Sequence, residues 1–358
     1  MSSKVYLIKA SMSEGAQAVS KKAVKLFKSA GLADCFKQND FTAVKVHIGE
    51  AGNNTYIPAG CIRGLVSELL ALKTKPFVTD TSTLYTGRRH NAIDHAVLAA
   101  EHGFDIKGLG IPFIPPDGLF GTSETAVRID GELNKEVFIA YDIVRCQSML
   151  SIAHVTGHIA ACLGATLKTL GMGCASRKGK MRQHSALKPS VKDNCKRCGE
   201  CARYCPEAAI TLDDIKAHID KDKCIGCAEC VAVCRFDAVS YGFDAESQIL
   251  QKNIAEHAKG VLKGKENRAA FFNFVMSVTP DCDCFTTRNM RKIVPDIGIA
   301  ASTDPVALDK ASLDLLETKA KKNLQRMINR TELNPTWQLE HAERIGLGTL
   351  KYDLIDVD

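Results

Sequence analysis

The chain has 358 residues, 45% hydrophobic and 25% charged, with fifteen cysteines, ten histidines and a formal charge of +6. Such a length suits about two domains, and the balanced composition excludes a collagen-like or disordered polymer. No window reaches the ~18 consecutive apolar residues of a membrane helix, and the opening residues lack the apolar core of a secretion signal, so a cytoplasmic protein that does not enter a membrane is expected.

Residues 1–190 alternate strand and helix patterns. A strand at 5–9 is followed by helical spacing over 16–29 (Ala16, Val19, Ala23, Leu26, Phe27). A strand at 41–48 precedes a helix over 58–72, and a short strand at 76–79 ends at Asp80. A helix over 91–101 stops at His102-Gly103, and 141–146 followed by 148–153 repeats the helix-to-strand step. Beyond a cysteine-rich block the alternation resumes with a helix at 246–262, strands at 270–278 and 297–301, and a helix at 305–322. This order predicts an α/β fold, a mostly parallel sheet with helices on both faces. The block at 191–241, bounded by Pro189 and Tyr241-Gly242, reads as a small α+β module of bacterial-ferredoxin type. It divides the α/β domain into a first part, 1–190, and a second part, 242–358; two sequential α/β domains flanking the module are the alternative.

Inside the block, Cys195, Cys198, Cys201 and Cys205 repeat as Cys224, Cys227, Cys230 and Cys234, both halves reading C-x2-C-x2-C-x3-C. Three thiolates so close together can wrap one cubane, while the fourth cysteine faces the neighbouring cluster. Two 4Fe-4S clusters are therefore expected, one on Cys195, Cys198, Cys201 and Cys234, the other on Cys205, Cys224, Cys227 and Cys230. Zinc, the rival metal, prefers two C-x2-C pairs at larger separation. A module of about 50 residues buries too little apolar surface to fold alone, so bound metal must supply much of its stability.

Charge is uneven. Between Lys168 and Arg203 ten basic residues face only Asp193 and Glu200, a local excess of eight. Such a segment would dock an acidic carrier of ferredoxin or flavodoxin type, or attract a small anionic substrate. No aromatic interleaving accompanies it, so nucleic acid is not an expected partner.

Outside the block, polar groups gather at predicted strand ends, where open α/β sheets carry their ligand sites. His47 and Glu50 follow the strand at 41–48, Asp80 ends the next, and His90 precedes a helix; with Lys168 in a glycine-rich stretch they are the candidate catalytic residues. The glycines around Lys168 suggest close approach of backbone to an anion or cofactor. His154 and His158, spaced i, i+4, would share a face if helical and bind one metal. Cys282 and Cys284 project to one side of an extended chain, so they would share an additional metal ion or form a redox pair.

Lys-Val-His-Ile-Gly-Glu at 45–50, Thr79-Asp80-Thr81, Gly87-Arg-Arg-His-Asn-Ala92, Gly157-His158, Leu167-Lys-Thr-Leu-Gly-Met-Gly-Cys174, Thr279-Pro-Asp-Cys-Asp-Cys284 and Ser302-Thr-Asp-Pro-Val-Ala-Leu-Asp309 together resemble the proteins grouped as domain of unknown function 362. Many of these are described as iron–sulfur centre proteins, and the resemblance implies the fold and the ferredoxin insertion. A fainter resemblance is to the nickel-pincer lactate racemases, where a histidine precedes the cofactor-holding lysine by ten residues, the separation of His158 and Lys168. The expected activity is that of an oxidoreductase whose clusters exchange electrons with a site in the α/β domain. A plain electron carrier and a metal- or cluster-trafficking protein are the alternatives.

Overall fold

A computed structural model describes residues 2–184, 188–240 and 246–357. Its centre is a seven-stranded sheet made of β1 (Ser3–Lys9), β2 (Phe41–Val46), β3 (Lys75–Thr79), β4 (Ser148–His154), β5 (Ala269–Val275), β6 (Gly298–Ser302) and β7 (Tyr352–Asp356). The order across the sheet is β7-β1-β6-β5-β4-β2-β3, and only β6 runs against its neighbours. Strands from both sides of the cysteine-rich block thus share one sheet.

The inner strands are apolar along nearly their whole length because both faces are covered. On β5, Phe271 packs into one core and Phe272 into the other. Helices α1 (Ala16–Ser29) and α2 (Ala59–Ala71) cover the face that carries Val44, Ile152 and Phe272. Helices α4 (Thr166–Gly171), α7 (Ser247–Leu262) and α8 (Pro305–Ala320) cover the face that carries Ala43, Met149 and Phe271. Two further helices matter below: α3 (Ala92–Glu101) and α5 (Arg177–His184). Local signals set the helix ends. Asn91 caps α3 through Asp94 N at 3.0 Å, and Asp304 caps α8 through Val306 N and Ala307 N, with Pro305 in the first turn.

Gly171 sits where α4 meets α7. A Cβ there would lie 2.0 Å from the Ile254 carbonyl oxygen, a backbone atom that cannot swing away. Gly171→Ala should therefore cost about 1–3 kcal/mol, read as a lower urea midpoint with an unchanged slope.

Two short ladders lie within the module. Ser190–Val191 pairs antiparallel with Val239–Ser240, and Ile210–Leu212 pairs with Ala217–Ile219. Between them lies α6 (Glu229–Val233), and Ala228 and Val231 beside its start share an apolar cluster with Leu84 and Met181 of the host. The predicted exit at Tyr241-Gly242 lies outside the described residues.

Candidate functional site

Strands β5, β4, β2 and β3 run parallel and side by side, so their C-terminal ends open on one edge. The loops that follow them, with α4 and α5, enclose a cavity of about 630 Å³. His47, Asp80, His154, His158, Lys168, Cys282 and Cys284 all line it. Glu50 and His90 do not. Glu50 stands behind the wall, and His90 lies off the cavity, its Nδ1 donating to the Tyr85 carbonyl at 3.3 Å while its Nε2, at 3.2 Å, and its own carbonyl accept from Arg177.

One wall is a buried ion network. Lys45, Glu50, Asp80 and Arg89 are each at most 3% exposed. Lys45 Nζ lies 2.9 Å from Asp80 Oδ1, Arg89 donates to Asp80 Oδ2 at 3.2 Å and to Glu50 Oε2 at 3.0 Å, and Tyr85 donates to Glu50 at 3.1 Å. Burial alone would raise the Asp80 carboxyl, but Lys45, His47 and Arg89 outweigh it and hold it below the usual range. Sequence reasoning missed Lys45, although a lysine between Val44 and Val46 in an otherwise buried strand is itself a signal. Lys180 of α5, also on the cavity, donates to Thr81 Oγ1 and to the Ala175 carbonyl, and burial brings it down to about 8.

The opposite wall is the loop after β5. His47 Nδ1 accepts from Gly49 N at 2.9 Å, which places the neutral ring's proton on Nε2, 3.2 Å from Cys284 Sγ. Cys282, Cys284 and Lys168 all line the cavity. The neighbouring Cys282 is the largest influence drawing the Cys284 thiol well below the ordinary range; burial opposes it, while His47, Lys168 and Arg89 add to it. The Cys282 thiol is pushed well up by its Cys284 neighbour and by burial.

Asp283, between the two cysteines, is clamped by His154 Nδ1 at 2.7 Å and Thr55 Oγ1 at 2.8 Å, and His154 Nε2 reaches the Met276 carbonyl at 2.9 Å. Both imidazole nitrogens face acceptors. Burial would lower the His154 ring, but Asp283 more than compensates and raises it, favouring an imidazolium with no lone pair for a metal. His154 and His158 are not on a helix: the first ends β4 and the second ends the short strand Thr156–His158. His158 Nδ1 accepts from Ala161 N at 2.9 Å. Among the described residues no three His, Cys, Asp or Glu side chains converge closely enough to hold a metal ion. The glycines near Lys168 serve packing: a Cβ on Gly173 would lie 2.8 Å from Lys45 Nζ, and Gly171 touches Ile254.

The basic segment divides. Lys168, Arg177 and Lys180 turn inward around the cavity wall, whereas Lys188, Lys192, Lys196, Arg197 and Arg203 are exposed.

In the module, Cys195, Cys198, Cys201 and Cys234 line one small cavity, and Cys205, Cys224, Cys227 and Cys230 line a second. Ala209 N donates to Cys205 Sγ and Ala238 N to Cys234 Sγ, each at 3.3 Å. Left-handed backbone recurs at matching places in the halves: Arg197 with Gly226, Gly199 with Ala228, and Ala208 with Asp237. Each half bends round its hollow in the same way.

An α/β sheet with a cavity at its strand ends, bordered by titratable side chains, and an inserted two-hollow cysteine module defines the class. The chain belongs to the family described as Domain of unknown function (DUF362), which it matches over residues 42–314. No curated protein matches the sequence. Among solved structures, a Thermotoga maritima protein is 12% identical, with 89% of this chain and 60% of that one covered and a TM-score of 0.41. The lactate racemase apoprotein from Thermoanaerobacterium thermosaccharolyticum is 11% identical, with 99% of this chain and 82% of that one covered and a TM-score of 0.36. The chain thus spans about 60% of the length of the first.

Proposed function

We propose that this chain is an iron–sulfur redox protein that holds two 4Fe-4S clusters and exchanges electrons with a small molecule in the 630 Å³ cavity. The observation that carries the reading is the duplicated module: two four-thiol hollows, backbone N–H groups aimed at sulfur, and matched left-handed turns. On this reading Cys195, Cys198, Cys201 and Cys234 would hold one cluster, and Cys205, Cys224, Cys227 and Cys230 the other. Bound there, the clusters supply one-electron chemistry at potentials tuned by hydrogen bonds to sulfur and by solvent exposure.

The chain's own residues do the remaining work. Leu84 packs in the module's apolar cluster and also lines the cavity, so the same loop borders both compartments. Arg89, Lys45 and Lys180 give the cavity a cationic wall suited to an anionic substrate. The exposed Cys198, flanked by exposed Lys196 and Arg197, suits docking of an acidic carrier of ferredoxin or flavodoxin type. The cavity favours an oxidoreductase over a plain carrier, which needs none.

Anaerobically purified protein should contain about eight irons per chain and a matching amount of sulfide, with a low-temperature EPR signal after dithionite. Colourless protein that is silent by EPR and holds only zinc would overturn the reading.

A further inference from the structure

We propose that Cys282 and Cys284 form a dithiol–disulfide centre, Cys284 attacking and Cys282 resolving, and that the cavity takes a small anionic disulfide as its oxidised substrate. Both sulfurs line the cavity, and Cys284 Sγ lies 3.2 Å from His47 Nε2. None of Cys35, Cys61, Cys146, Cys162 and Cys174 lines it.

The loop is built to hold the pair. The intervening Asp283 is fixed by His154 and Thr55. Gly157 N donates to the Thr279 carbonyl at 2.8 Å, and a Cβ on Gly157 would lie 2.2 Å from the Pro280 carbonyl oxygen. Backbone therefore packs on backbone directly before the cysteines. The two sulfurs are held differently. Cys284 faces the His47 Nε2 proton, so it is the sulfur stabilised as thiolate. Cys282, the more buried of the two, keeps its proton and lies beside Lys168. Lys45, Arg89, Lys168 and Lys180 outnumber Asp80 and Asp283 along the lining, which favours a substrate carrying carboxylates.

The steps balance. The Cys284 thiolate attacks one sulfur of R–S–S–R, a new S–S bond forms, the substrate S–S bond breaks, and RS⁻ leaves and takes a proton from solvent. Cys282 then loses its proton and attacks Cys284 sulfur; the mixed disulfide breaks and the second thiol leaves. Two electrons have passed to the substrate, and the protein holds a Cys282–Cys284 disulfide. Its return to the Cys284 thiolate and Cys282 thiol takes two electrons, one at a time, from a low-potential donor of the iron–sulfur class and one proton from solvent, and only this return rests on the function proposed above.

The test uses pre-reduced, cluster-loaded protein and dithiobis-nitrobenzoate, a dianionic disulfide that releases a coloured thiolate. Native protein should release two thiolates per chain, about tenfold faster than free cysteine at the same pH. Peptide mass spectrometry should then show a Cys282–Cys284 disulfide and no retained nitrobenzoate. Cys282→Ser should release one thiolate and keep the adduct on Cys284; Cys284→Ser should lose the fast phase. His47→Gln should slow the fast phase about tenfold without changing its amplitude. A fast phase that survives in Cys284→Ser, an adduct retained by native protein, or a tightly held metal ion that blocks exchange would overturn the proposal. Iron content and EPR on the same sample separate the two ideas: clusters present with an inert dithiol sink the dithiol alone, and a reactive dithiol without clusters sinks the electron supply alone.

Discussion

Asp80→Ala should be among the most damaging single substitutions in the host domain, costing about 3–5 kcal/mol of stability. The carboxylate neutralises Lys45 and Arg89 inside the protein, at 2.9 and 3.2 Å, with almost no access to water. Its removal leaves an ammonium and a guanidinium buried around a hole, with only Glu50 left beside Arg89. The effect belongs to the network, so it should not add. Lys45→Met combined with Asp80→Ala should recover part of the loss, since the orphaned ammonium is gone. Urea titrations of the wild type, the two single variants and the double variant, followed by far-UV circular dichroism, measure this directly. A cost below about 1 kcal/mol for Asp80→Ala would show that water reaches the site and that the network is only a surface-grade ion pair.

The second large effect concerns the module. Cys230→Ser should lower bound iron from about eight to about four per chain, because one hollow loses a thiolate that serine replaces poorly. Cys230 is the only buried member of the eight, at the start of α6, so the change is felt where the module meets Leu84 and Met181. Residues 190–240 should become protease-sensitive while the circular dichroism of the host changes little, since so small a segment depends on its metal to fold. Cys61→Ala, a buried cysteine far from either hollow, is the control, and its iron content should match wild type. Equal iron in both variants would remove Cys230 from the ligand set.

Much of the framework is legible in the sequence because the inner strands are apolar runs and the helices carry the spacing of a one-sided core. The strand at 41–48, the helix over 16–29 and the helix at 305–322 all lie within two residues of their observed ends. What the pattern hides is structure whose stabilising face is polar. Helix α5 reads Arg-Lys-Gly-Lys-Met-Arg-Gln-His and has no apolar stripe, yet Arg177, Lys180 and Gln183 point inward to partners on other elements. Strand β7, Tyr-Asp-Leu-Ile-Asp, sits on the sheet edge with half its residues in water, so it carries no burial signal. The site follows the same logic. His47, Asp80, Lys168, Cys282 and Cys284 stand out as chemistry at strand ends, but the partners that fix their charge lie elsewhere in the chain. Arg89 and Asp283 appear in the sequence only inside the motifs at 87–92 and 279–284, with nothing to mark the ion pairs they form with Asp80 and His154.

The short ladder that joins Val191 to Val239 has a consequence for ancestry and engineering alike. The pairing holds the two ends of the cysteine cassette side by side. Lengthening a loop at such a point costs only about 0.6 kcal/mol per doubling. A cassette of this kind can therefore be exchanged at this doorway without renegotiating the order of a single strand behind it.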